Sequence, residues 1–364
     1  MYKGLFNEKI ELIIKGMRRK SYSKTHGQCA KLLAVCFATI ALASCGNKTD
    51  NYTFQTDKEA TNAYKSYLSE VRNMGTISTE RLIESVNEWQ ILRDSVYACI
   101  AKGTTSRPHQ NPENTVRMLH DSLRIEFTRL ALSQPRSFAD VLLIKEKTYQ
   151  YRQDTELAQA VTDAEPFFRS LDSVAPCHGN AKQTVSIYQS FLANTLKSGI
   201  SGKSEMLAFI KEEDRLFRSF LSHLPELADA DLSVITRDTE KCCLSIFRSV
   251  ENGRLSYRDA LVYTARRTNR RIILNALTCR DDINQGNVKT EAQARAYVWM
   301  LLQPYVALDG FSMTVMSETE RIKLYEVANN TPLMIAILNK TAGTDNDQWQ
   351  VLPGVLIKIM LTSI

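Results

Sequence analysis

The sequence predicts an all-α protein, a multi-helix bundle or irregular helical array of about eleven or twelve helices. Three observations predict it. Gly is 14 and Pro is 9 of 364 residues, well under the usual shares of about 7% and 5%, so tight turns are few. Apolar residues recur at alternating three- and four-residue steps, the period of a helix and not that of a strand. Ser or Thr three residues ahead of an acid or amide marks one helix start after another. With 44% hydrophobic and 24% charged residues, the composition excludes disordered and collagen-like chains.

The elements follow in order. Thr56 and Glu59 form a capping box, and Ala60, Tyr64, Tyr67, Val71 and Met74 make the stripe that ends at Gly75. Ser78 opens the next helix, with Leu82, Val86, Trp89, Leu92, Val96 and Cys99 or Ile100 on one face and Gly103 at its close. Thr104–Gln110 is a polar loop. Asn111-Pro112 is a cap with Pro at the first helical position, followed by Val116, Leu119, Leu123, Phe127 and Leu130. Ser137 and Asp140 open another helix. Val185, Tyr188, Leu192 and Leu196 run up to Gly199. Met206, Ile210, Phe217, Phe220 and Leu224 run up to Pro225, and Ile235, Cys242, Ile246 and Val250 up to Gly253.

Ser256 with Asp259, Thr290 with Gln293 and Ser317 with Glu320 are three further capping boxes. Ala296–Leu308 is apolar nearly all round, which predicts the central buried helix, with Trp299 inside and a kink at Pro304. Thr331-Pro332 is expected to begin a short helix and Pro353 the last one. Val355–Ile364 fits either helix or strand. No repeat of fixed period is visible. Pro176, Gly179 and Asn180 mark a seam over 173–182, dividing a helical half at 57–172 from one at 183–364.

Charge is unevenly distributed. The chain carries 46 Lys+Arg and 40 Asp+Glu, a net +6, but eight of the bases and two of the acids lie in residues 1–44, so residues 45–364 sum to zero. A general electrostatic case for nucleic acid therefore fails. Arg18, Arg19, Lys20 and Lys24 precede an uncharged run from Leu32 to Ser44. That run is too short for a membrane-spanning helix, which needs about 20 residues, and suits the core of a secretory signal.

The run ends in Leu42-Ala43-Ser44-Cys45-Gly46, which resembles the lipobox of bacterial lipoproteins. The resemblance covers residues 17–46, with Met17 giving a compact signal start. It implies cleavage after Ser44, diacylglycerol on the Cys45 thiol and acylation of the new amino terminus. Residues 1–44 are then a signal peptide and 45–56 a tether, and the expected location is the bacterial envelope, on the outer membrane. Several acyl chains together give stable anchoring, where a single one binds marginally.

Candidate chemistry is sparse. Gly202-Lys203-Ser204 lacks both the glycine five residues earlier and the preceding strand of a P-loop, and reads as a turn with a helix start. Cys177-His178 lies in the Pro/Gly loop and has no haem-attachment spacing. No His pair or Cys cluster has zinc spacing, so no metal or cofactor is expected. Cys99, Cys242 and Cys279 fall on apolar stripes as small core residues. Glu212-Glu213-Asp214, Asp229 with Asp231, Asp281-Asp282 and Asp345 with Asp347 are expected at solvated helix ends and loops.

One cluster has geometry. Arg266, Arg267, Arg270 and Arg271, with Tyr263, span about 140° of a single helix face, opposite Leu261, Ala265, Thr268 and Ile272. An exposed face of this kind suits an acidic glycan or an acidic protein partner, through charge-assisted hydrogen bonds. The expectation is a lipid-anchored, non-enzymatic binding or scaffold module. Its alternatives are an envelope hydrolase acting on glycan or peptide, with a site assembled from separated helices, and a subunit of an envelope assembly.

Overall fold

The computed structural model describes residues 52–103, 112–148, 155–227, 229–308, 310–341 and 347–362. Among the described residues there are thirteen α-helices, a single 3₁₀ turn at Leu224–Glu226 and no strand. In chain order the helices are α1 (Asp57–Asn73), α2 (Thr79–Gly103), α3 (Pro112–Leu132), α4 (Phe138–Thr148), α5 (Thr155–Leu171), α6 (Ala181–Ser198) and α7 (Lys203–Leu221). They continue as α8 (Asp229–Glu251), α9 (Tyr257–Asn284), α10 (Glu291–Ala307), α11 (Gly310–Thr314), α12 (Glu318–Thr341) and α13 (Asp347–Thr362). The all-α class is as the sequence predicts, and 355–362 is helix.

The capping signals operate locally. Thr290 accepts from the Gln293 N–H while the Gln293 side chain accepts from the Thr290 N–H, and Asn180 with Gln183 does the same for α6. Ser137 and Asp140 cap α4 reciprocally. Gly253 ends α8 with φ +67°, a conformation that a side chain resists, and there its N–H and that of Arg254 reach the carbonyls of Val250 and Ser249.

Several elements differ from expectation. α5, with Pro166 inside it, and the five-residue α11 are not expected from the sequence. Pro332 does not begin a helix. It sits on the exposed outside of α12, which runs on through it. The lost backbone bond is local, and α12 packs on α4, α9, α10 and α13. Pro353 likewise lies inside α13.

Residues 54–364 form one compact unit; of the unit formed by residues 1–53, only Tyr52 and Thr53 are described. α1, α2 and α3 pack on one another, and α4 joins them through α2. α6, α7 and α8 form a second group, with α6 against both others. α9 packs against α5, α7, α8, α10, α11 and α12, and so is the central helix. α13 bridges α3 and α4 to α10 and α12.

That position corrects the expectation for 296–308. α10 buries Tyr297, Val298, Leu301, Leu302 and Tyr305, but its outer side stays open and Trp299 is 41% exposed. Pro304 falls in the last turn of α10 and not at its middle. Among the described residues no helix is long and apolar enough to cross a membrane.

Candidate functional site

The arginine-rich face belongs to α9, and its central position decides the fate of that face. Arg266 is 1% and Arg267 6% exposed, and Tyr263 is buried at 3%. The expected exposed basic face is therefore corrected: it is turned inward, onto α5, α7, α8 and α12. The periodicity was right about which residues share a side. The apolar stripe opposite them does not mark the only buried side, because a central helix has neighbours all round.

Each arginine finds carboxylates of this chain. Arg267 donates from Nε to Glu213 Oε2 at 3.0 Å and from Nη2 to Glu213 Oε1 at 2.8 Å, the two-pronged geometry that favours arginine over lysine. Arg271 Nη1 donates to Glu213 Oε1 at 2.7 Å, and the Tyr188 hydroxyl donates to the same oxygen at 2.6 Å. Arg270 reaches Asp214 at 2.5 Å and Asp172 at 2.8 Å, and Arg218 also holds Asp214 at 2.9 Å. Arg266 lies 2.8 Å from Glu165 and 3.3 Å from Glu320.

Counted over these pairs, five arginines meet five carboxylates, so the cluster is neutral as a set. Aromatic rings complete it: Arg266 stacks over Phe168 at 4.6 Å and Arg271 over Phe217 at 4.1 Å. Outside it, Lys203 lies 3.0 Å from Asp259 and 5.5 Å from the Tyr263 ring. Gly202-Lys203-Ser204 thus forms the start of α7, as read from the sequence.

The electrostatics follow from burial. Burial alone would raise the Glu213 carboxyl, but Arg267 and Arg271, with hydrogen bonds from Arg267 and Tyr188, hold it at about 2. For Arg267 burial opposes the charge, and Cys243 and Glu213 beside it more than offset that, raising its affinity for the proton. Burial pushes the Tyr188 hydroxyl well up, so it stays a donor. The Arg266 contact with Glu165 is close but misaligned, leaving its Nε and Nη1 without a hydrogen-bond acceptor.

Glu213 and Asp214 correct a second expectation, since they are 0% and 3% exposed and not at a solvated helix end. A signal for Glu213 was present. It stands between Ile210 and Phe217 at steps of three and four, in the middle of the apolar stripe of α7. An acid in that register needs a buried cation. Glu320 had two readings at once: its Oε2 accepts from the Ser317 N–H at 2.8 Å in the capping box of α12 and also pairs with Arg266.

Other candidates fall elsewhere. Cys45 and the rest of the lipobox, His109, and Asp345 lie outside the described residues. Cys177, Cys242, Cys243 and Cys279 are free thiols, and Cys242 and Cys279 are buried as expected of core residues. Asp282 accepts from the Tyr297 hydroxyl at 2.7 Å. Among the described residues no three His, Cys, Asp or Glu side chains gather as metal ligands. The central cluster can therefore fix α5, α7 and α12 around α9, but its charge is already matched from within. No protein-family model, curated protein or solved structure matches the chain.

Proposed function

We propose that the chain is a lipid-anchored helical protein of the bacterial envelope, held to the outer membrane through Cys45 and acting as a binding or scaffold module. The observation that carries the reading is the coincidence, within residues 17–46, of a basic segment, an uncharged run from Leu32 to Ser44 and small residues directly before a cysteine. The internal pairing of the α9 arginines supports the scaffold side of it. The ion pairs that cross from α9 to Glu165, Glu213, Asp214 and Glu320 make a frame with one preferred arrangement, and the arginines are spent on that frame and not on an acidic glycan.

The anchor is tested by the intact mass of the native protein. A mature chain beginning at Cys45 with diacylglycerol and acyl groups is expected, and Cys45→Ala should leave unlipidated precursor. A native chain carrying residues before Cys45 and no lipid would refute the reading.

A second reading, a subunit of an envelope assembly, is favoured by α3. Met118, Ile125 and Leu132 recur every seven residues along one line of that helix and are 70%, 67% and 41% exposed. Residues at that spacing share a face, and apolar side chains gathered on an exposed face suit a protein contact better than solvent.

A further inference from the structure

The three N-terminal helices of the described unit meet around a chain of hydrogen bonds that runs from the buried Tyr64 and Trp89 to a half-buried histidine. Tyr64 of α1 is 0% exposed and Trp89 of α2 is 4% exposed. Trp89 Nε1 donates to the Tyr64 hydroxyl at 2.7 Å, and that hydroxyl lies 3.4 Å from Nδ1 of His120 on α3. The His120 ring packs on Trp89 with centroids 5.0 Å apart, and the Arg93 guanidinium sits 5.7 Å from the Trp89 ring. One side chain from each helix is thus joined at a single point.

The direction of the chain follows from what each group can do together with the tautomer of His120. An indole N–H only donates, so the Tyr64 oxygen accepts from Trp89, and His120 Nδ1 is placed to accept the hydroxyl's own hydrogen. Nδ1 can accept it only when the imidazole is neutral with its proton on Nε2. We propose that this chain is an acid-sensitive latch: adding a proton to His120 turns Nδ1 from acceptor to donor, strands the Tyr64 hydroxyl hydrogen inside the α1–α2–α3 contact, and loosens those helices.

The surrounding charges reinforce the effect. Burial comes first in lowering the His120 proton affinity, followed by Arg93; Asp121 opposes them and Arg124 adds to them. Arg93 is itself paired with Asp94 at 2.8 Å. Tyr97 and Asp94 act on Tyr64 from α2, and burial, the largest influence, raises the Tyr64 hydroxyl so that it stays protonated. α13, which also packs on α3, brings one described ionisable side chain, the exposed Lys358. A histidine lowered in the closed form takes its proton more readily in the open form. The latch therefore holds above the ordinary imidazole value of about 6.5 and is released as pH falls below it.

The test uses the full chain in detergent with isotope-labelled histidine. An NMR titration, with His120 assigned through His120→Gln, is paired with amide exchange corrected for intrinsic rates. His120 should titrate below the ordinary imidazole value with its neutral proton on Nε2, and exchange in α1–α3 relative to α6–α8 should rise severalfold as the pH falls through that interval. In His120→Gln the rise should vanish. Tyr64→Phe, which keeps the imidazole but removes its donor, should move the His120 titration upward. A neutral proton on Nδ1, an exchange rise that persists in His120→Gln, the absence of any rise in the native chain, or a titration unmoved by Tyr64→Phe would each overturn the latch.

Discussion

Arg267 and Glu213 face each other inside the molecule through two parallel hydrogen bonds, of 3.0 and 2.8 Å, in a place where neither side chain is more than 7% exposed. Removing one member leaves the other charge stranded. Glu213→Gln keeps the shape and removes the charge that Arg267 and Arg271 share. It should lower stability by about 3–5 kcal/mol in a denaturant melt, the usual consequence of breaking a buried pair. A loss under about 1 kcal/mol would show that the arginines find compensation elsewhere.

The same carboxylate gives a pH dependence of known sign. Its folded value, about 2, lies below the ordinary 4.5. A depressed carboxylate contributes stability that is fully present above its unfolded value and is lost as pH falls through the folded one. The stability gap between the native chain and Glu213→Gln should therefore be constant above about pH 5 and shrink toward pH 2. A gap that widens on acidification would contradict the assignment.

Much of this was legible in the sequence, and what was missed has a common cause. The caps at Thr56, Ser137, Ser256, Thr290 and Ser317 are local signals, and local signals survive folding. The class follows from the period of the stripes. Which helix lies at the centre does not. Periodicity gives the side on which Arg266, Arg267, Arg270 and Arg271 stand, but only the packing of α5, α7, α8 and α12 says what stands opposite. Trp299 failed in the reverse way: an apolar stretch was read as buried all round, while α10 has neighbours on one side alone.

Trp299→Ala should accordingly cost little. An aromatic fully buried in a core costs about 3–5 kcal/mol when cut to Ala, whereas a residue 41% exposed on the outer side of α10 should lose about 1–2 kcal/mol. Thermal melts of the purified variant check this, and a core-sized loss would place the indole inside.

Glu320 does two things with one carboxylate, and the two separate by mutation. Ser317→Ala removes only the cap of α12 and should lose about 1 kcal/mol. Glu320→Ala removes the reciprocal cap and also one of the two carboxylates beside the buried Arg266. It should lose clearly more than Ser317→Ala, and equal losses would mean that the Arg266 contact contributes nothing.

The central claim is that the α9 arginines build the frame and do not form a binding surface. The most direct measurement is the double variant Arg267→Glu with Arg270→Glu, assayed both for melting temperature and for retention on a sulfated-glycan column. Each reversal places an acid against Glu213 or Asp214, already 0% and 3% exposed, so the account predicts a markedly lower melting temperature with retention no different from the native chain at temperatures where both are folded. An unchanged melting temperature together with lost retention would contradict it.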